Sequence, residues 1–154
     1  MKRADVLRLM AILAVVVLAS MTTGCLKASI SLEVEPPTGA GRVLGEVGKG
    51  MDGKMTVIAT GVGKAGMYSK LTVEFFDGAT PATSLGTATV DVQVFITPWD
   101  NQPQAFSLAD YTDLVVPVGA DAAVEAKFTL EGGGLALTPI FDTVDVEIAP
   151  ADEV

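Results

Sequence analysis

The segment TPWDNQPQAFSLADYTD, residues 97–113, holds the residue types in this sequence that are best suited to binding chemistry. Four of its side chains end in carboxylate or amide oxygens: Asp100, Asn101, Asp110 and Asp113. Because Ca²⁺ takes about 6 to 8 oxygen ligands at roughly 2.3–2.6 Å, these residues predict a candidate calcium site, although their order is not that of an EF-hand. The alternative is that the acids of a long polar connection are simply solvated.

The same segment contains three aromatic residues, Trp99, Phe106 and Tyr111. They predict a platform for a sugar or a peptide; alternatively, they cover the open end of a hydrophobic core. A calcium- or carbohydrate-binding adhesion module is therefore one alternative function. It predicts that the melting temperature rises when calcium or a glycan is added, because a ligand that binds only the folded state stabilises that state.

Two glycine-rich motifs resemble nucleotide-binding loops. GVGKAG, residues 61–66, fits the dinucleotide pattern, and GKGMDGKM, residues 48–55, comes within one residue of a P-loop. Both kinds of site need a helix next, because the amides of its N-terminus receive the phosphates. Strand-forming residues follow both motifs here, so we predict plain loops, with GVGKAG as a hairpin loop and no cofactor.

The chain contains no histidine. This excludes Ser-His-Asp and Cys-His catalysis and every metal site that uses a histidine ligand. Ser69 and Lys70 are neighbours on a predicted strand and point to opposite faces, so they do not form a catalytic pair. The sequence predicts a protein that is not an enzyme. An envelope hydrolase with two close carboxylates is the alternative.

The N-terminus has the three-part layout of a secretory signal peptide. MKRADVLR carries three basic residues, LMAILAVVVLA (residues 9–19) is apolar, and residues 20–24 are small or polar. A membrane-spanning helix needs roughly 20 apolar residues, so this run is too short to span a bilayer. We therefore predict an export signal.

The signal ends in TTGC, whose Cys25 is the only cysteine of the chain. This ending resembles the lipobox of bacterial lipoproteins. The resemblance implies that the Cys25 thiol receives a diacylglyceryl group, that the signal is cut before it, and that the new N-terminus is acylated. Leu26, in place of the aspartate that marks retention at the inner membrane, implies the outer membrane if the cell has one. An ordinary signal peptide and an uncleaved anchor are the alternatives.

The predicted organisation is a signal peptide at 1–24, a lipidated cysteine and short tether at 25–28, one β-sandwich domain at 29–150 and an acidic tail at 151–154. Residues 1–24 carry three of the ten basic and one of the nineteen acidic residues, which leaves seven and eighteen, a net charge of −11. Nucleic acid is therefore excluded as a partner. The lipid anchor alone is expected to hold the protein at the membrane. The other predicted partner is an unknown envelope protein or glycan.

After residue 29 the sequence alternates with a period of two, as in ATVDVQVFI, where every second residue from Ala88 to Ile96 is apolar. Turn signals such as PPTGAG, FDGATP and EGGG separate the runs. The runs that predict strands are 29–35, 42–47, 54–60, 70–76, 88–96, 113–118, 123–131 and 143–148. Seven to nine short strands of this kind predict an all-β fold, an antiparallel β-sandwich of immunoglobulin-like or related type. The predicted function is a noncatalytic structural or binding domain in the bacterial cell envelope.

Overall fold

The computed structural model describes residues 27–132 and 137–152. The chain is all-β there, and its sheets curl into a half-barrel. The strands are β1 (Ser29–Glu35), β2 (Val43–Glu46), β3 (Met51–Asp52), β4 (Lys54–Thr60), β5 (Gly66–Phe76), β6 (Ser84–Ile96), β7 (Gln104–Ser107), β8 (Glu125–Gly132) and β9 (Ile140–Ala149). Two short 3-10 turns span Leu108–Asp110 and Ala120–Ala122. No helix in the described ranges is long and apolar enough to cross a membrane.

The strands form two sheets, in the orders β1-β4-β7 and β3-β2-β9-β8-β5-β6. The strand pairs are antiparallel, as predicted, with one exception: β2 runs parallel to the second half of β9, with Val43 opposite Val146. Strand β9 already pairs with β8 through its first half, so its other edge takes β2. The direction of β2 relative to β9 depends on the whole topology, which no local pattern encodes.

Alternation in the sequence explains which side chains are buried. On β6, the apolar residues from Ala88 to Ile96 are buried and the residues between them are exposed. On β8, Ala126, Phe128 and Leu130 are buried in the same way. These residues join apolar residues of the smaller sheet in one hydrophobic core. Residues of both sheets are therefore removed from water in the same core.

A hydrogen bond also links the two sheets. The backbone N–H of Val34 on β1 donates to Oδ2 of Asp142 on β9, at 2.8 Å. This donor lies on the edge of the smaller sheet, where it has no strand partner among the described residues. An unpaired buried donor is costly, so the carboxylate satisfies it and fixes the position of β1 beside β9.

Several predicted elements have different bounds in the structure. The predictions for 29–35 and 54–60 are confirmed, whereas DLVVPV at 113–118 forms no strand and contributes only the isolated bridge of Val116 to Val47. Pro117 interrupts that run, since proline has no N–H to donate to a sheet. Val124, which belongs to the predicted run 123–131, lies before β8 and is 42% exposed. The GVGKAG loop is not a hairpin, because it connects β4 in one sheet to β5 in the other.

The loop between β5 and β6 is organised by Asp77. Its Oδ1 accepts hydrogen bonds from the backbone N–H groups of Thr83 at 2.8 Å and Ala79 at 3.1 Å. The bond from Thr83, followed by that from Ala79, lowers the pKa of the Asp77 carboxyl below its usual value of 3.8. Hydrogen bonds to the charged form favour that form, which is the direction seen.

We expect Asp77→Ala to lower the melting temperature at neutral pH, because the two N–H groups lose their acceptor. A folded-state pKa below the unfolded one contributes stability that is present above the unfolded pKa and is lost as pH falls through the folded pKa. The difference between wild type and variant should therefore shrink as pH falls below 3.8. Thermal unfolding followed by circular dichroism at a series of pH values measures it. Asp121→Ala, in the exposed second 3-10 turn, is the control; a difference that persists unchanged at low pH would contradict the assignment.

Candidate functional site

The predicted binding segment, 97–113, runs antiparallel along β4. Strand β7 lies within it and pairs with β4, placing Gln104 opposite Val57 and Ser107 opposite Lys54. The residues before β7 therefore lie where β4 ends, and the residues after β7 lie where β4 begins. Seven strand residues at about 3.3 Å each separate the two places by roughly 20 Å.

The two ends of β4 also define two ends of the molecule. At the first, which we call the tether end, Ser29 at the start of β1 lies opposite Thr60 at the end of β4. At the second, the distal end, Glu35 lies opposite Lys54. Strand β1 therefore begins at the tether end and ends at the distal end, and its seven residues separate Ser29 from Glu35.

Trp99 lies at the tether end in a tightly held loop. Its backbone N–H donates to the carbonyl oxygen of Val62 at 2.8 Å, and its φ of 60° is in the left-handed region that few residues other than glycine adopt. The indole lies against Gly63, where an added Cβ would come within 2.8 Å of Trp99 Cζ2. The side chain is nevertheless 69% exposed. The backbone thus holds a large apolar group out in solvent.

Asp100 and Asn101, two of the predicted calcium ligands, shape this loop. Asp100 Oδ1 accepts from the N–H of Gln102 at 3.1 Å, and Asn101 Oδ1 accepts from the N–H of Gly61 at 2.9 Å. The second bond ties the 97–103 connection to the end of β4. Both side chains therefore have a structural role in presenting Trp99.

The other predicted residues of the segment lie towards the distal end. The 3-10 turn that contains Asp110 begins at Leu108, whose N–H donates to the carbonyl oxygen of Gly53 at 2.9 Å. Asp110 and Asp113 are exposed there, whereas Phe106 and Tyr111 are partly buried against the core. Burial, with a smaller contribution from the Asp110 carboxylate, raises the pKa of the Tyr111 hydroxyl. Both aromatic side chains pack against the core, and ligand binding by them stays a prediction.

The structure therefore separates the predicted site residues into two groups. Asp100 and Asn101 lie at the tether end, and Asp110 and Asp113 lie beyond the opposite end of β4. Trp99 is likewise separated from Phe106 and Tyr111, so the three aromatics do not form one platform. Across 27–132 and 137–152, no three His, Cys, Asp or Glu side chains form a group that could hold a metal ion. Calcium binding itself stays a prediction, and Cys25 and the signal peptide lie outside the described residues.

A groove of about 800 Å³ opens at the distal end. The residues around it come from two connections with their flanking strand ends, Glu35–Ala40 and Asp52–Lys54, and from β7, Ala105–Ser107. Lys54 Nζ donates to Glu35 Oε2 at 3.1 Å on its rim, and Phe106 contributes an apolar wall. Sequence reasoning identified Phe106 but missed the groove, because PPTGAG indicated only a turn. Its paired prolines, which stiffen the backbone, were the available signal.

Comparison with known proteins adds little. No family model and no curated protein matches the chain. One solved structure that aligns with 79% of this chain is Spo0M, a sporulation control protein from Bacillus subtilis, with a TM-score of 0.41, 12% identity and 49% of that chain covered. Another is a beta-glucosidase from Listeria innocua in complex with gluconolactone, with a TM-score of 0.30, 11% identity, 80% of this chain and 17% of that chain covered. The chain thus spans about half of the first protein and a small part of the second, and its function is inferred from its own residues.

Proposed function

We propose that this protein is a lipoprotein of the bacterial cell envelope, anchored through lipid on Cys25, whose β domain is a noncatalytic structural or binding module. The observation that carries the proposal is the position of Cys25. It follows an export signal directly, and Ser29, only four residues later, is already the first residue of β1. A lipid at Cys25 would hold the folded domain against the membrane surface without an intervening linker.

The anchor has to act without electrostatic help. The chain after residue 24 has a net charge of −11, as counted above, and anionic lipid headgroups do not attract such a protein. Two or more acyl chains hold a protein on a bilayer stably, since each buried methylene contributes about 0.8 kcal/mol. Diacylation of Cys25 accounts for the lone cysteine and supplies this attachment. The outer membrane is the proposed location where the cell has one.

For the domain we propose a β-sandwich of immunoglobulin-like or related type. Its support is the shared core, to which the smaller sheet contributes Leu32 and Val57 and the larger sheet Val73 and Phe128. Side chains from two sheets that interdigitate in one core are typical of a sandwich. The bond from Val34 to Asp142 joins the two sheets along one margin.

The proposed role is to present a surface to an envelope protein or glycan. The groove lies at the distal end, at the opposite end of β1 from Ser29. Strand β6 is the last strand of the larger sheet, and its outer edge has no strand partner within the described ranges. Gln104 Nε2 donates to the carbonyl oxygen of Phe95 on this edge at 2.8 Å, as an additional strand would. Such an edge accepts a strand from another protein.

The test is the mass and location of the wild-type chain produced in bacteria. We expect the mass of a chain that begins at Cys25 and carries a diacylglyceryl group and an acylated N-terminus, and we expect it to float with membranes on a density gradient. A chain that begins elsewhere, or whose Cys25 thiol reacts with a maleimide, would contradict the proposal.

A further inference from the structure

Three parts of the described chain lie together at the tether end. They are the start of β1, the connection between β4 and β5 (residues 61–65), and the first part of the connection between β6 and β7 (residues 97–101). The N–H of Trp99 donates to the carbonyl oxygen of Val62, which joins the last two directly. We call the surface formed by residues 61–65 and 97–101, with Phe95, the tether face.

The tether face exposes large apolar side chains. Trp99 is 69% exposed and Phe95, on the outer side of β6, is 57% exposed. A hollow of about 440 Å³ with partly apolar walls lies at the same end; Val62, whose carbonyl oxygen accepts from the Trp99 N–H, lines it together with residues that include Ile30 and Ile140. Contiguous exposed apolar surface marks sites of interaction with proteins or membranes.

The loop is built to keep Trp99 exposed. A left-handed backbone is unfavourable for tryptophan, and it persists only where the surroundings determine it. Here the determinants are the bond from Trp99 to Val62, the bond from Gly61 to Asn101 and the contact of the indole with Gly63. A residue that only covered the core would need no such support, so the exposure of Trp99 is a specified feature of the loop.

Charge distinguishes the two ends of the domain. The connections and N-terminal residues at the tether end carry two basic residues and one acid among the described residues: Lys27, Lys64 and Asp100. The connections and the C-terminal segment at the distal end carry five described acids and two described basic residues: Asp77, Asp110, Asp113, Asp121, Asp152, Arg42 and Lys49. An anionic membrane surface therefore repels the distal end, with its excess of acids, and does not repel the tether end.

The length of the tether brings this end to the membrane. Four residues from Cys25 to Ser29 span at most about 14 Å when fully extended, at about 3.3–3.6 Å per residue. Tryptophan is enriched at the boundary between headgroups and acyl chains, because its ring is apolar and its indole N–H can bond to polar groups. Both the reach and the chemistry of the tether face fit that boundary.

We propose that Trp99 inserts into the interface of the membrane that holds the Cys25 lipid, so that the tether face lies on the bilayer and the distal groove points away from it. This proposal rests on the lipid anchor of the proposed function. The tether face is then a second contact beside the lipid, and it fixes the orientation that a flexible lipid attachment leaves free.

The chain provides its own reporter, because Trp99 is its only tryptophan. The lipidated full chain is purified from membranes and reconstituted into phosphatidylcholine vesicles, with or without bromine on the acyl chains near the headgroups. We expect the Trp99 emission to lie at shorter wavelength than that of the detergent-free Cys25→Ala chain. The emission should also lose intensity in brominated vesicles and resist quenching by acrylamide.

The matched control moves the reporter to the distal end of the same lipidated protein. In Trp99→Leu/Val118→Trp, the reporter occupies a position that is 88% exposed in the connection before the second 3-10 turn. Its emission should remain that of a solvated indole, with no loss in brominated vesicles. Circular dichroism checks that both proteins are folded.

The outcomes separate the two proposals. Membrane docking is overturned if the mass includes the lipid but Trp99 emits at the same wavelength as the solvated Val118→Trp reporter. The anchor then stands. Emission that changes with an envelope glycan and not with the bilayer also overturns docking, in favour of a sugar site. A sample whose mass shows no lipid overturns both proposals.

Discussion

Replacing Cys25 by alanine should remove the lipid from the mass of the protein and abolish the cut before residue 25. The thiol is the atom to which the diacylglyceryl group would be attached, and the chain has no other cysteine. Each buried methylene contributes about 0.8 kcal/mol to membrane binding, and two or more acyl chains contain many methylenes. Loss of these chains should therefore remove nearly all of the lipid-dependent binding. Fractionation with mass spectrometry of the intact chain measures it.

The control for this change is Met21→Ala, which lies in the same segment and leaves TTGC intact. It should keep both the lipid and the membrane location. The lipoprotein assignment would be wrong if the wild-type and Cys25→Ala chains had the same processing and the same distribution between fractions.

Truncating Phe128 to alanine should produce a large loss of stability. Phe128 lies in the middle of β8, opposite Val73 on β5 and Asp142 on β9, and its side chain is fully buried. Removing a buried phenylalanine ring costs about 3–5 kcal/mol, because the transfer free energy is lost and a cavity remains. Urea unfolding followed by circular dichroism gives the difference in the free energy of unfolding.

Phe141→Ala is the matched control, since it deletes the same atoms on a neighbouring strand. Phe141 is 62% exposed on the outer face of β9, where its ring centroid lies 4.6 Å from Lys127 Nζ. An exposed cation–π contact contributes about 0.5–1 kcal/mol, so this variant should lose far less stability. Equal losses in the two variants would show that the described core does not hold the sheets together.

Much of the strand content could be predicted from local sequence. The alternation in β1, β6 and β8 is strong because one face of each strand is buried and the other is more exposed, so consecutive residues differ in character. Strand β7 was missed, because four residues of mixed character carry too little pattern. The run at 113–118 was predicted wrongly, because apolar composition alone does not overcome a proline.

The candidate site could be predicted as a list of residues and not as an arrangement. The 97–113 segment was predicted from its residue types, and in the structure Trp99 is its most exposed aromatic residue. That β7 divides the segment between two ends of the molecule follows from its pairing with β4, more than forty residues earlier in the chain. Such a distant register is set by the topology of the fold.

By itself the sequence determined that the chain has one cysteine and no histidine, that it is acidic and that its period of two makes it a β protein; it also predicted the export signal before Cys25. These properties depend on composition or on neighbouring residues, so they can be obtained from the sequence without the fold. Only the tertiary structure decided that β2 runs parallel to β9, that a groove opens at the distal end and that Trp99 lies beside the point where the chain enters the domain. Those features arise from contacts between residues far apart in the chain, which form only when the two sheets bury their apolar faces together.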